Sequence, residues 1–232
     1  MVQVSIVIPT YNERKNLAVL VQRIDRVLKG HEIIIVDDHS PDGTGRRAEQ
    51  LAARYPVRCI HRREKEGLGS AVIAGCGQAR GKHIVVMDAD LSHPPELIPR
   101  LVDALRESDM AIASRYCAGG GVRNWPLARR AISGGARLLC RPLAAAHGVH
   151  DPLSGFFAMR RSVIAGIRLQ VAGFKILLEI LARGRVRRIA EIPYMFTDRR
   201  QGSSKLGVHE AFRYMKQLAQ LYRARLTALF LS

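Results

Sequence analysis

Apolar and polar residues alternate in blocks along the first half of the chain, and the blocks switch period in a regular order. Val4-Ser5-Ile6-Val7-Ile8 reads as a strand, since a short apolar run bounded by turn residues suits a buried strand. It closes on Pro9-Thr10-Tyr11-Asn12. From Glu13 to Leu28 the apolar positions Leu17, Leu20, Val21, Ile24, Val27 and Leu28 keep helical spacing. Glu32-Ile33-Ile34-Ile35-Val36 is a second strand, followed by a helix from Gly45 to Tyr55 and a short strand from Val57 to Ile60. Gly67-Leu68-Gly69 opens a helix that runs to Ala79, and Ile84-Val85-Val86-Met87 is the next strand. A helix begun by Pro94-Pro95 spans Glu96 to Leu105 and leads to the strand Met110 to Ser114. Such alternation predicts an α/β fold, a mainly parallel sheet with helices on both faces. No internal repeat or low-complexity linker interrupts it.

The strands end in polar chemistry. The first runs into Pro9-Thr10-Tyr11-Asn12-Glu13, the second into Asp37-Asp38-His39-Ser40-Pro41-Asp42, and the strand before Asp88 into Asp88-Ala89-Asp90. One polar strand end is a turn; three on the C-terminal edge of a parallel sheet form a site. Asp88 and Asp90 are hard oxygen ligands one residue apart, suited to Mg²⁺ or Mn²⁺ completed by substrate phosphates. That pattern points to a metal-bridged diphosphate and so to a nucleotide-sugar transferase. Ser92 is a further candidate metal ligand. Pro9, Tyr11, Glu13, Asp38, Asp42, Gly67 and Ala89 are the candidate nucleotide-binding positions: carboxylates for base and ribose donors, and the Tyr11 ring to cover the base. Asp42-Gly43-Thr44 also reads as a turn and helix cap, and the two readings are compatible. Gly67-Leu68-Gly69 lacks the Gly-Lys-Ser/Thr ending of a Walker loop, which excludes an ATPase of that type.

Charge changes the picture next. The 232 residues hold 37 Lys plus Arg against 20 Asp plus Glu, a net +17. Such a surplus favours a polyanionic partner: a phosphorylated substrate, an anionic membrane surface or nucleic acid. Aromatics are 6% of the chain, and no zinc-finger or RNP-type pattern interleaves them with the basic residues, so no nucleic acid is expected. Cys59, Cys76, Cys117 and Cys140 are scattered without a Cys-x-x-Cys pair, which leaves no zinc site to read and suits reduced thiols. No run of about 18 uncharged apolar residues exists, and the start lacks a signal-peptide pattern.

Motifs in series then identify a resemblance. Val7-Ile8-Pro9-Thr10-Tyr11-Asn12-Glu13, Val36-Asp37-Asp38-His39-Ser40-Pro41-Asp42-Gly43-Thr44 and Met87-Asp88-Ala89-Asp90-Leu91-Ser92-His93-Pro94 resemble the signature of GT-A glycosyltransferases of family 2. Later pieces are similar to the dolichol- or polyprenyl-phosphate mannose synthase group. They are Ser114-Arg115-Tyr116, the Arg129-to-Ser133 segment, Asp151-Pro152-Leu153-Ser154-Gly155-Phe156, Gly173-Phe174-Lys175-Ile176-Leu177-Leu178-Glu179 and the stretch from Phe196 to Leu206. The resemblance implies inverting, metal-dependent transfer of mannose from GDP-mannose to the phosphate of a membrane polyprenol such as dolichol. It implies that Arg115, Arg129 and Ser133 bind the acceptor phosphate. It also implies that Arg199 and Lys205 close over a phosphate on a loop freed by Gly202. Asp88, Asp90, Arg115, Arg199 and Lys205 are then the catalytic set. Asp151 either orients an arginine or contacts the sugar; Arg130 and Arg137 read as a solvated helix face; His93, His147 and His150 read as structural or surface groups rather than metal ligands.

A lipid acceptor implies a peripheral enzyme on the cytoplasmic face of a membrane. Residues 1–206 form the expected catalytic domain and 207–232 an amphipathic, membrane-interfacial helix. Ile132, Ala136, Leu139 and Leu143 make one apolar stripe, and Val208, Ala211, Phe212, Met215, Leu218, Leu221 and Tyr222 a second, each beside cations. Packing on the domain core is the alternative for both, and a membrane-anchoring protein is a further candidate partner. Two rival functions remain. One is a polyprenyl-phosphate transferase using UDP-glucose or a UDP-aminosugar. The other is a basic membrane- or nucleic-acid-binding module without catalysis, against which the intact Asp88 and Asp90 speak. A sugar nucleotidyltransferase is disfavoured, because the loop after the first strand is Pro9-Thr10-Tyr11-Asn12-Glu13 rather than Gly-rich and basic.

Overall fold

The computed structural model describes residues 2–144, 148–170, 175–197 and 208–230. Strand β1 (Val4–Thr10) leads to helix α1 (Arg14–Val27), β2 (His31–Asp37), α2 (Thr44–Ala52), β3 (Val57–His61), α3 (Leu68–Gly77) and β4 (His83–Val86). After a 3₁₀ turn at Pro95–Leu97 come α4 (Ile98–Ala104), β5 (Met110–Ser114), β6 (Gly121–Arg123), α5 (Leu127–Ala144) and β7 (Phe157–Arg160). Helix α6 (Ile176–Arg183), β8 (Ile189–Pro193), β9 (Met195–Thr197) and α7 (Val208–Phe230) complete the order.

Seven strands form the main sheet in the order β3-β2-β1-β4-β7-β5-β8, and β6 pairs with β9 apart from it. All pairings in the large sheet are parallel except those of β7, which runs antiparallel between β4 and β5. The sequence pattern predicts β1 to β5; it misses the parallel edge strand β8, the small pair β6 and β9, and β7. Phe157-Ala158-Met159-Arg160 is too short for a period to show, and its neighbours in the sheet lie far away in sequence. Its insertion still matters to the site, because it sets the segment Asp151–Phe156 between the ends of β4 and β5.

Strands β1 and β2 are buried along their whole length, as expected for a sheet covered on both faces. Two large apolar clusters cover it. One gathers Ile6, Ile8, Leu17, Ile24, Leu101 and Phe156 on the side of α1, α2 and α4; the other gathers Val7, Val36, Val72, Phe157 and Ile180 on the side of α3 and α6. Gly75 of α3 sets one of the closest approaches: a Cβ there would stand 2.4 Å from Val7 Cγ1. Pro99, which has no N–H to donate four residues back, splits the expected Glu96–Leu105 helix into a 3₁₀ turn and the shorter α4. At the sheet edge away from the polar strand ends, buried Glu32 accepts Ser5 Oγ at 2.6 Å, Arg80 N at 2.7 Å and Arg58 Nη2 at 3.2 Å.

Helices α5, α6 and α7 form a third, smaller cluster with Cys140, Leu143, Leu153, Leu178, Tyr214, Leu218 and Leu221. Both expected amphipathic stripes therefore divide. Leu143, Leu218 and Leu221 pack inward, whereas Ile132, Leu139, Phe212 and Met215 stay exposed. No helix among the described residues is long and apolar enough to cross a membrane.

Candidate active site

The site grows from the C-terminal strand ends. The loop after β1 is tied to the loop after β2 by three backbone donors: Asn12 N to Ser40 Oγ at 3.0 Å, Glu13 N to Thr44 Oγ1 at 2.9 Å and Arg14 N to Asp42 Oδ2 at 3.2 Å. Asp42 also accepts Thr44 N at 2.9 Å, so the expected turn is present, while the cap position of α2 is Gly43, which supplies no side-chain cap. Asp38 is buried and anchors the next loop, accepting Arg62 Nη1 at 2.9 Å, Glu66 N at 3.0 Å and Gly67 N at 2.8 Å. Gly67 sits at φ +98°, a conformation that favours glycine, directly before α3. The Tyr11 ring carries Lys65 Nζ 3.7 Å from its centroid. Glu13 accepts Asn16 Nδ2 at 2.8 Å, while Pro9 and Ala89 lie buried in the chain beneath. Between these loops opens a cleft of about 540 Å³ lined by Arg14, Asp37, His39, Asp42, His61 and Arg62.

At the end of β4, Asp88 and Asp90 are both partly open to solvent while Ala89 between them is buried. Each is fixed from its own loop. The Asp88 backbone N–H donates to His93 Nδ1 at 3.0 Å, and His93 lies flat on Phe156 with centroids 5.1 Å apart. Burial lowers the His93 pKa; the ring accepts at Nδ1 and is a structural support, as the sequence suggests. Asp90 Oδ1 accepts Ser92 N at 3.0 Å and Ser92 Oγ at 2.6 Å. The Ser92 hydroxyl, expected as a ligand, is thus turned onto Asp90 and orients it. Gly155 leaves room here, since a Cβ would come within 3.3 Å of Asp88 Oδ2. Among the described residues no group of three or more His, Cys, Asp or Glu side chains is gathered as a metal cage. Two hard carboxylates with space beside them fit Mg²⁺ or Mn²⁺, which draws its other ligands from water and phosphate.

Beyond β5, Arg115 is held by Asp151. The backbone N–H donates to Oδ2 at 3.0 Å, Nε to Oδ2 at 2.8 Å and Nη2 to Oδ1 at 2.8 Å. Glu191 of β8 supports the arrangement by accepting Asp151 N at 3.1 Å and His150 Nδ1 at 2.6 Å. Burial opposes the Arg115 charge, but the hydrogen bonds and charge of Asp151 outweigh it and raise the pKa. Aromatics surround the guanidinium: its Cζ lies 5.3 Å from the Tyr116 ring centroid, 5.6 Å from Trp125 and 5.8 Å from Phe196. Trp125 also carries Arg129, at 4.5 Å, and Tyr116 hydroxyl meets Ser133 Oγ at 2.9 Å. The structure therefore gathers Arg115, Arg129 and Ser133 around two aromatic rings. Arg137 departs from its expected place on a solvated face, lying 4.1 Å over Tyr116, whereas Arg130 is exposed as expected. Arg199, Gly202, Lys205 and His147 lie outside the described residues.

With this geometry in view, comparison with known proteins decides the family. A model described as "Glycosyl transferase family 2" matches residues 5–168. The chain belongs to glycosyl transferase family 2. It is 48% identical over 225 residues to the dolichol-phosphate mannosyltransferase of Pyrococcus furiosus, covering 95% of this chain and 64% of that protein. It is 43% identical over 212 residues to the polyprenol monophosphomannose synthase of Mycolicibacterium smegmatis, covering 87% of this chain and 80% of that one. The chain thus spans less than two thirds of the length of the Pyrococcus relative. Glucosyl-3-phosphoglycerate synthase from Mycobacterium tuberculosis, solved with Mn²⁺, UDP-glucose and phosphoglyceric acid, shares the fold at a TM-score of 0.69. That likeness comes at 21% identity and covers 94% of this chain and 79% of the synthase.

Several residues of this family-2 site escape sequence reasoning. Asp37 lines the cleft and accepts Ser40 N at 3.3 Å; as the first of two adjacent aspartates it gave no signal apart from Asp38. Tyr116 and the single tryptophan, Trp125, organise the arginines. An aromatic search restricted to the neighbourhood of Arg115 and Arg129 would have found both. Lys175 stands out in the sequence only as part of the Gly173-to-Glu179 motif.

Proposed function

We propose that this chain transfers mannose, with inversion, from GDP-mannose to the phosphate of a membrane polyprenol of the dolichol type, using Mg²⁺ or Mn²⁺ held by Asp88 and Asp90. The observation that carries the reading is the pair of oriented carboxylates at the end of β4 facing the Arg115–Asp151 assembly at the end of β5. The mannosyltransferase relatives at 48% and 43% identity support the sugar and the lipid phosphate.

The chemistry follows from the residues. Asp88 and Asp90 would hold the divalent ion, which would neutralise charge on the diphosphate leaving group. His93 holds the Asp88 backbone and Ser92 holds the Asp90 carboxylate before substrate arrives, so little reorganisation is left for the reaction. A phosphate monoester has its second pKa near about 6 and reaches the site already anionic. It requires alignment and cations rather than a strong base. Arg115, held charged by Asp151, with Arg129 and Ser133 beside it, supports that part. Guanidinium groups bind phosphate through directed forks of hydrogen bonds. Arg199 and Lys205 are the further phosphate contacts in this reading.

A peripheral seat on the cytoplasmic face of a membrane completes it. On α5, Leu127 is 82% exposed and Leu138 65%; on α7, Phe212 is 69% exposed. Arg130, Arg141, Arg213 and Lys216 stand exposed on the same helices. Basic helices with open apolar faces bury them in the lipid interface and gain from anionic headgroups. Residues 207–232 would serve as the interfacial element, alone or with a membrane-anchoring partner.

The test is a donor panel: GDP-mannose and UDP-glucose, each labelled in the sugar, with a short prenyl phosphate and Mn²⁺. Label entering the organic phase from GDP-mannose supports the reading. Label entering from UDP-glucose alone replaces the donor by the UDP-sugar alternative, and binding without transfer from either replaces the enzyme by a binding module.

A further inference from the structure

Lys175 stands just before α6, deep in the molecule but with part of its surface still open to solvent. Its backbone is gripped from α7: Lys175 N donates to Gln217 Oε1 at 3.4 Å, and Gln217 Nε2 donates to Lys175 O at 3.0 Å. Gln217 is itself 1% exposed, so a buried amide fixes where this lysine begins. The side chain turns toward the site, and Nζ donates to Leu153 O at 3.4 Å, within the turn that carries Asp151.

The charges around it are Arg115 and Asp151 on the acceptor side and Asp88 on the metal side. Asp88 and Asp151 attract the ammonium and Arg115 repels it; burial first, then Arg115, lowers its pKa to about 8. Cys140 of α5 is also among its neighbours. On α5 the positions Arg129, Ser133, Ala136 and Cys140 follow one another by four, three and four residues, the spacing of a single helix face. Lys175 therefore lies at the inner end of the face that presents Arg129 and Ser133.

Arg115 cannot supply the whole charge for an incoming phosphate, because Asp151 already matches it with a bidentate ion pair. A doubly charged phosphate arriving there needs a second cation. Two like charges held near one another carry a cost that an anion placed between them converts to attraction. Lysine suits the task as a compact point charge for phosphate.

We propose that Lys175 is an acceptor-phosphate-binding residue, set in place by the Gln217 amide. The inference rests on the transferase reading above and deepens its acceptor site. Direct binding of a short-chain prenyl phosphate separates the two, with the emission of Trp125, the only tryptophan, as the signal beside Arg115 and Arg129.

The expected result is that Lys175→Met weakens prenyl-phosphate binding about tenfold or more while Mn²⁺-dependent GDP binding stays within about threefold. Lys175→Arg is expected to restore most of the lost affinity. Gln217→Ala, which leaves the lysine side chain intact, is expected to lower the same affinity in part, and it covers the case in which Lys175→Met fails to fold. Unchanged prenyl-phosphate affinity in Lys175→Met, or in Gln217→Ala where only that variant folds, overturns the inference. An equal loss of GDP binding also overturns it, since that marks a structural role. If the unsubstituted protein takes up no prenyl phosphate, the acceptor reading itself falls.

Discussion

Asp151 closes on Arg115 with both carboxylate oxygens, at 2.8 Å to Nη2 and 2.8 Å to Nε, while the same Oδ2 accepts the Arg115 backbone N–H at 3.0 Å. The side chains keep 12% and 1% of their surface exposed, so water does little to screen them. The pair joins the end of β5 to the segment ahead of β7. It fixes the guanidinium against Tyr116, Trp125 and Phe196.

Removing one partner leaves a charge in a place built for two. Asp151→Ala is expected to lower unfolding free energy by about 3–5 kcal/mol, read as a shifted midpoint in urea. The double variant Arg115→Met/Asp151→Leu is expected to recover much of that stability and still show no transfer. A single variant as stable as the parent would contradict the pairing.

Metal dependence provides a separate test at Asp88. Asp88→Asn keeps the shape and the backbone donor to His93 but removes charge from the ion's seat. Turnover is expected to fall by about a thousandfold, with Mn²⁺ binding lost and thermal midpoint nearly unchanged. Ser92→Ala is expected to cost less, since it frees one Asp90 oxygen from its 2.6 Å hydrogen bond and leaves the carboxylate itself in place.

His31 supplies a pH dependence away from the cleft. Its ring nitrogens are buried without hydrogen-bond partners, and burial lowers its pKa from 6.5, against the pull of Asp25. The unfolded chain therefore takes up a proton that the folded chain resists. Its contribution is complete above about pH 6.5 and is lost as pH falls below that value, until the lower folded-state pKa is passed. His31→Leu is expected to flatten the decline in stability between about pH 6.5 and 5, measured by urea titrations at several pH values. An unchanged slope would contradict it.

The outer faces of α5 and α7 predict vesicle binding. Leu138→Glu and Phe212→Glu replace side chains that are 65% and 69% exposed, so stability is expected to change by no more than about 0.5 kcal/mol. Co-sedimentation with anionic vesicles is expected to weaken about tenfold for each. Retained binding in the double variant would move the membrane contact elsewhere.

Much of this was legible because parallel strands buried on both faces write themselves as unbroken apolar runs, as in Ile33-Ile34-Ile35-Val36. Their polar ends then stand out: Asp88 and Asp90 were found because carboxylates directly after such a run have no core to join. Strand β7 was not legible, since its pairing with β4 and β5 is long-range and antiparallel. The partner of Arg115 was open between two roles until Asp151 was seen on it. Ser92 could be read as a ligand because a sequence does not show which way a hydroxyl turns. Trp125 carried no motif, and Tyr116 entered only beside Arg115 in one; their part in stacking the arginines is a property of the fold. Amphipathic stripes in α5 and α7 mixed two functions, because one apolar arc packs on a neighbour while the adjoining arc faces out.

The most direct test is initial-rate transfer by the intact protein from labelled GDP-mannose to a prenyl phosphate, with Mn²⁺ added, then removed by EDTA, then restored. The account predicts label in the organic phase that stops with chelation, returns with metal and is absent for Asp88→Asn. Label that stays aqueous with metal, donor and acceptor all present, or transfer that survives in Asp88→Asn, would contradict it.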